Sequence, residues 1–125
     1  MSAPNLVNVS TITLKQVGVA LGTTLTTNLL ANAASSGKVF KITSIIVSNV
    51  DGTNAAAVSL DFHTDADGTS GTSFAIASTV TVPADATLVV LDKNTPIYLE
   101  EDRSILGGAS AASDLECLIT YEEIS

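Results

Sequence analysis

Three side-chain types that make up hydrolytic triads lie close together in this sequence. Ser59, Asp61 and His63 are spaced two residues apart, and His63 is the only histidine. A serine triad needs mutual hydrogen bonds between these groups and an oxyanion hole nearby. Successive side chains on one face of a strand are about 6.5–7 Å apart, which is too far for direct contact. The spacing therefore predicts a polar, solvent-facing row and no catalytic residues.

The residue types that bind metals are few. One histidine and one cysteine, Cys117, do not supply the three or four ligands of a zinc site. Asp65 and Asp67 stand where an EF-hand calcium loop would begin, but the twelfth position holds Ile76 instead of glutamate. The sequence predicts no metal and no cofactor, and it leaves open a looser calcium site at Asp65 and Asp67 completed by a neighbouring chain.

Two further features have structural explanations. Cys117 falls within an alternating apolar row, which indicates a small core residue. The acidic run 100–102, followed by Arg103, is typical of a solvated turn. The sequence contains no glycine loop suited to phosphate and no basic–aromatic interleaving suited to nucleic acid. We therefore expect a protein that is not an enzyme.

Composition narrows the class of protein further. A chain of 125 residues is the size of one domain, and a net charge of −8 disfavours binding to phosphate backbones. No stretch has the roughly 18 apolar residues of a membrane span, and the first residues do not form a signal peptide. Apolar residues make up 46% of the chain and charged residues only 14%, so apolar surface is expected to remain for self-association or docking.

The elements that carry these residues read as strands almost throughout. Apolar side chains recur with a period of two, and turn residues return every 8–12 positions or so. A Thr-rich run over 23–30 is a further strand candidate. The strongest strand is predicted over 38–50, and others over 55–64, 72–82, 87–92, 97–99 and 115–124. An irregular β-rich segment over 5–17 and a short one over 104–106 are candidates as well.

The pattern also predicts which side chains are buried. Both faces of 38–50 are apolar, which indicates a central strand covered on two sides. In 72–82, Phe74, Ile76, Val80 and Val82 are expected to point inward. The Asp51-Gly52 pair predicts a tight turn in which glycine supplies a positive φ.

The predicted fold class is all-β: a single antiparallel β-sandwich of about eight or nine strands, either a jelly roll or immunoglobulin-like. Residues 1–17 are expected to form an N-terminal arm or an edge strand. Residues 18–125 are expected to form the sandwich domain.

Residues 38–124 resemble a group of small β-sandwich virion proteins of tailed bacteriophages, including cyanophages. The resemblance lies in the order of four segments, KVFKITSIIVSN, VPADATL, PIYLEEDRS and ITYEEI, which begin at residues 38, 82, 96 and 119.

This resemblance implies a capsid decoration, or cement, protein that bridges capsid subunits and stabilises the phage head. The implied partner is the major capsid protein, with a homo-oligomer, most simply a trimer, on the outer capsid surface of the virion. Synthesis in the cytoplasm of a host bacterium is implied as well. No binding to nucleic acid or membrane is expected.

Two alternatives stay open. The first is a tail, neck or fibre component of the same kind of particle, which symmetry would distinguish from a capsid lattice. The second is a carbohydrate-binding sandwich module, but such modules use aromatic platforms, and this chain offers no tryptophan and only Tyr98 and Tyr121.

Overall fold

The protein folds into nine strands arranged as two antiparallel sheets. The structure is a computed structural model that describes residues 8–25 and 27–125. The strands are β1 (Ile12–Ala20), β2 (Thr27–Asn32), β3 (Val39–Asn49), β4 (Ala56–His63), β5 (Ser73–Val82), β6 (Thr87–Leu91), β7 (Ile97–Leu99), β8 (Arg103–Ala109) and β9 (Leu115–Ile124).

The strand order decides between the two predicted architectures. Sheet A has the order β1-β9-β3-β6, with β7 also paired to β3, and sheet B has the order β2-β8-β4-β5. The first strand thus pairs with the last and the second with the last but one, while β6 and β7 share one position beside β3. This nested order is that of a jelly roll, whereas an immunoglobulin sandwich pairs its first strand with its second.

The core lies between the two sheets and follows the predicted alternation most closely in β9. Leu115, Cys117, Ile119 and Tyr121 are all buried in one cluster, as predicted. Tyr121 contacts Phe40 of β3 with ring centroids 5.0 Å apart. A strand that is regular along its whole length keeps one set of alternate side chains inside.

The prediction that β3 is covered on both faces is wrong. A bulge shifts its register with β9 between Ile42 and Ser44. Ile42 is buried before the bulge and Ile45 and Val47 after it, so the inward set changes from even to odd residues. Because one extra residue reverses the parity of a strand, an ordinary one-sided strand shows apolar residues at both parities.

The predicted inward face of β5 is also partly wrong. Phe74 is 58% exposed and Val80 is 36% exposed, whereas Ala77 is buried. The register with β4 shifts twice, and Thr79 has a φ of 51°. These irregularities on an edge strand break the strict alternation that the sequence suggested.

The Asp51-Gly52 turn forms, but not as the tight hairpin that was predicted. Gly52 has no positive φ, and the connection passes from β3 in sheet A to β4 in sheet B. The Asp51 carboxylate holds it by accepting the backbone N–H groups of Thr53 and Asn54 at 2.7 and 3.2 Å. A side-chain cap thus replaces the glycine conformation.

The N-terminal division stays a prediction. Residues 1–7 of the expected arm lie outside the described residues. Strand β1 is an edge strand of sheet A, and it continues across the predicted boundary after residue 17.

Candidate functional site

The triad-like row of β4 is not a solvent-facing row, so that prediction is wrong. Asp61 is only 9% exposed and His63 only 5%. The His63 ring Nδ1 lies 3.1 Å from the carbonyl oxygen and 3.2 Å from the amide nitrogen of Asp65. Ser59 Oγ instead accepts the backbone N–H of Thr79 at 3.0 Å. The polar groups of His63 and Ser59 are therefore engaged by nearby backbone, in two separate places.

What covers this row is the connection between β4 and β5, residues 64–72, here called the β4–β5 loop. Ser104 Oγ donates to the Asp65 carbonyl at 2.7 Å, and Asn28 Nδ2 donates to the Ala66 carbonyl at 3.0 Å. The Ala66 N–H donates to Asp102 Oδ1 at 3.1 Å. These bonds fasten the loop to β2, β8 and the turn before β8, across the outer face of sheet B.

An apolar side chain, Leu106, is buried beneath the same loop. Leu106 of β8 pairs with Asp61, whose neighbours in β4 face the core, so Leu106 lies on the outer side of sheet B. It is nevertheless only 3% exposed. Gly68 has a φ of +73°, and a Cβ there would come within 3.1 Å of Leu106 Cδ2, so glycine allows the loop to lie close on this side chain.

The carboxylates of Asp65 and Asp67 accept hydrogen bonds from other residues of the same loop. Asp65 accepts hydrogen bonds from the Ser70 hydroxyl and the Asp67 backbone N–H, and these lower the pKa of Asp65. Asp67 Oδ1 accepts both the backbone N–H and the hydroxyl of Thr69, at 2.9 and 2.8 Å. Among residues 8–25 and 27–125, no group of three or more His, Cys, Asp or Glu is arranged to hold a metal ion.

The acidic turn before β8 also serves the fold. Glu101 Oε2 accepts the backbone N–H of Gly37 at 3.0 Å, and Arg103 Nη1 donates to the carbonyls of Asp102 and Thr64 at 2.9 and 3.4 Å. Asp102 has a φ of 59°. These contacts go beyond the solvated turn that the sequence predicted.

Cys117 has the structural place that was predicted for it. It is 2% exposed within the core cluster, and burial raises the pKa of its thiol to about 12. A thiol with so high a pKa is almost entirely protonated at neutral pH and is a poor nucleophile.

The opposite end of sheet B is covered by the connection from β1 to β2. Gly22 O accepts the backbone N–H of Ala109 at 2.8 Å. A Cβ on Gly108 would come within 2.8 Å of the Thr24 carbonyl oxygen and 3.1 Å of the Leu25 nitrogen. The chain therefore passes directly over the backbone of β8, and glycine at residue 108 makes room for it.

The outer face of sheet A carries no such cover among the described residues. The register places its side chains in rows across four strands. One row contains Gly18, Leu118, Ile46 and Val89, here called the apolar row. Val89 is 59% and Leu118 is 37% exposed.

Two further exposed apolar side chains lie on the same face, beyond the polar row formed by Gln16 and Thr120. Leu14 is 74% exposed and lies in the row formed with Glu122, Lys41 and Tyr98, and Tyr98 is itself 47% exposed. A depression of about 420 Å³ lies at the β1 end of the apolar row and includes Gly18, Leu118 and Ile46 in its lining. Exposed apolar side chains that share one face of a sheet are typical of a contact site.

Reasoning from sequence missed this surface. Its members come from four strands that are far apart in the chain, and only strand register brings them into one row. The available signal was the low charge content, which predicted apolar surface without locating it.

Comparison with known proteins provides no relative from which a function could be assigned. No family model, no curated protein and no solved structure matches the chain. In the part of the chain that the structure describes, there is no helix long and apolar enough to cross a membrane.

Proposed function

We propose that this protein is a non-enzymatic structural subunit that binds to a larger protein assembly through the outer face of sheet A. The observation that carries the proposal is the uncovered apolar row. Leu118 and Val89 stay in water, although the same protein covers Leu106 on its other outer face to 3% exposure. Exposed apolar side chains aligned in one row across a sheet are best explained by a partner.

The composition of this face supports protein as the partner. The apolar row is bordered on one side by a row that carries Glu116 and on the other by a row that carries Gln16 and Thr120. The row beyond Thr120 carries Glu122 and Lys41. An apolar centre bordered by polar groups is the usual layout of a protein–protein interface. The exposed aromatics, Phe74 and Tyr98, lie in different sheets, which disfavours a stacking platform for sugars.

The leading role is that of a capsid decoration protein, bound to the major capsid protein of a tailed phage. The resemblance over residues 38–124 supports this role, and the jelly-roll order is one that viral shell proteins use repeatedly. Each copy would add modest free energy at a junction between capsid subunits, and the repeated lattice would multiply it. A tail, neck or fibre position uses the same surface and is the alternative.

The test is to add the purified protein to undecorated heads of the phage that encodes it and to image them by cryo-electron microscopy. We expect regular density at or near the local threefold positions, with the outer face of sheet A against the shell. A Leu118→Lys/Val89→Lys double variant should not bind, whereas Phe74→Lys, on an edge strand of sheet B, should bind normally.

Other outcomes separate the alternatives. Bare heads, with the protein found instead on the tail, neck or fibres of whole virions, would move the role to those parts. Absence from heads and whole virions alike would overturn the virion proposal. Equal binding by the double variant and the wild type would show that another surface docks.

A further inference from the structure

The four sheet edges of this protein differ in how they are protected. Sheet A ends at β1 and at the β6–β7 pair, and sheet B ends at β2 and β5. The register of β2 shifts once and that of β5 twice, while β6 and β7 divide their edge into two short pieces with a shift beside β6. Bulges and short strands are the usual means by which proteins prevent pairing at an edge.

Within residues 8–25 and 27–125, strand β1 has neither a bulge nor a break of this kind. It pairs with β9 in one unbroken register over nine residues, from Ile12 to Ala20, and contains no proline. Its one charged residue, Lys15, is held by Glu123 Oε2 at 3.3 Å. A long regular edge of this kind is a template for another strand.

The hydrogen bonds at the ends of β1 show which of its backbone groups are free. Thr11 and Ser125 exchange both backbone hydrogen bonds, and the Leu21 N–H donates to the Leu115 carbonyl at 2.9 Å. In an antiparallel pair such bonded positions alternate with unbonded ones. Odd residues of β1 thus bond to β9, and the N–H and C=O groups of even residues point away from sheet A.

We propose that β1 pairs antiparallel with β1 of a second copy, about a twofold axis at Gln16. This register places Leu14 opposite the partner's Gly18 and Ile12 opposite the partner's Ala20. The two copies of sheet A then form one continuous sheet. The inference goes beyond the proposed function, because it concerns self-assembly and needs no capsid.

A second copy is favoured as the occupant because the edge is self-complementary. With Gln16 on the axis, every outward-pointing N–H meets an outward-pointing C=O of an identical strand. A twofold interface of one surface with itself is the commonest arrangement in soluble oligomers.

The side chains favour this register as well. Leu14, which is 74% exposed, falls beside a glycine that leaves it room. The nearest atom to a Cβ at Gly18 is Leu118 Cδ1, 3.9 Å away, so Leu14 would continue the partner's apolar row. Lys15 lies opposite the partner's Val17, and the two Lys15 side chains do not face each other. Pairing therefore covers apolar surface without opposing like charges.

The test uses single cysteines placed in β1. In this register the two Gln16 Cα atoms are about 5.5 Å apart, as in any hydrogen-bonded antiparallel pair, and a disulfide spans about 4.4–6.8 Å. The two Leu14 Cα atoms are four residues apart along the strand, or about 13–14 Å. Gln16→Cys should therefore form a covalent dimer on mild oxidation, and Leu14→Cys should not. Native Cys117 is buried and serves as an internal background.

Mass measurement of the wild type completes the test. Light scattering should give a concentration-dependent dimer of twice 12.7 kDa. Leu14→Glu should weaken its association at least tenfold, while Phe74→Glu, at an apolar position of β5 that is 58% exposed, should leave it unchanged.

Three results would overturn the proposal. The contact would be excluded if the wild type stayed monomeric at about 100 μM and the Gln16→Cys variant gave no covalent dimer on oxidation. A trimer, the state implied by the phage resemblance, would exclude a closed twofold pair. Equal cross-linking by Leu14→Cys and Gln16→Cys would exclude this register. None of these results depends on binding to a shell, so this proposal and the decoration role can fail separately.

Discussion

The two outer faces of this sandwich are built from similar strands but treated in opposite ways. Sheet B buries Leu106 on its outer side beneath the β4–β5 loop, and Gly108 beneath the β1–β2 connection. Sheet A leaves Leu118 and Val89 in water on its outer side. This chain therefore covers an apolar side chain on one outer face and leaves apolar side chains exposed on the other.

The largest effect is expected from truncating one leucine on each face. Leu106→Ala should lower the free energy of unfolding by about 2–5 kcal/mol, because it empties a buried site. Leu118→Ala, at 37% exposure, should cost about 1 kcal/mol or less. Urea unfolding of both variants measures the difference. If both variants lost the same free energy of unfolding, the β4–β5 loop would not bury Leu106, and the two outer faces would not differ in burial.

A glycine on each face gives a sharper version of the same comparison. Gly108→Ala should destabilise the fold by about 1–3 kcal/mol, because its Cβ would press on the Thr24 backbone. Gly18→Ala should be neutral or stabilising by up to about 1 kcal/mol, because its nearest contact is an ordinary 3.9 Å and the unfolded chain loses freedom. Thermal unfolding of the monomer checks both. A stable Gly108→Ala protein would show that residues 22–25 do not press against β8.

A smaller effect is expected from removing a hydroxyl on each face. Ser104→Ala removes a buried donor to the Asp65 carbonyl and should cost about 1–2 kcal/mol. Ser48→Ala loses only an exposed contact with Thr87 at 3.2 Å and should stay within about 0.5 kcal/mol. Amide exchange of the β4–β5 loop should accelerate in Ser104→Ala alone. If exchange in the loop is unchanged, the loop is held by its other bonds and Ser104 is dispensable.

The smallest effect is expected from acid. Hydrogen bonds from Ser70 and the Asp67 backbone lower the pKa of Asp65 from its ordinary 3.8. A carboxylate whose pKa is lowered by folding stabilises the native state above its unfolded pKa, and the stabilisation is lost as the pH falls through the lower folded value.

The β4–β5 loop should therefore loosen below about pH 3.8, and an Asp65→Asn variant should lack this step. Amide exchange between pH 5 and pH 2.5 measures it. Identical pH profiles of variant and wild type would show that the ionised Asp65 carboxylate does not stabilise the β4–β5 loop.

Glu123 offers a control on sheet A for the acid experiment. Burial by itself would raise its pKa, but hydrogen bonds and charge from Lys15 and Lys38 outweigh this and lower the pKa of Glu123. Because the pKa of Glu123 is also lowered by folding, acid should weaken its ion pair with Lys15, which joins β9 to β1. This weakening should persist in Asp65→Asn, which separates local change in the loop from a general effect of acid.

The fold class, the positions of β3 to β7 and β9, and the interior of the regular strands could be predicted from the sequence. Alternation over 115–124 predicted the bounds of β9 and its buried set, because a strand with no bulge has a strict period of two. The same rule failed at the bulges of β3 and β5, since a bulge is fixed by pairing with a neighbour and leaves no mark in local composition.

Which outer side chains are buried and which stay exposed could be read only from the folded structure. The sequence predicted that Asp61 and His63 face solvent, but both are buried. Alternation predicts on which side of a sheet a residue lies, and it does not predict whether a loop covers that side. The apolar row reads as scattered residues because register between strands far apart in the chain is set by long-range pairing. The physical reason is the same in both cases: local sequence fixes the periodicity of a strand, while burial depends on which segments of the folded chain meet.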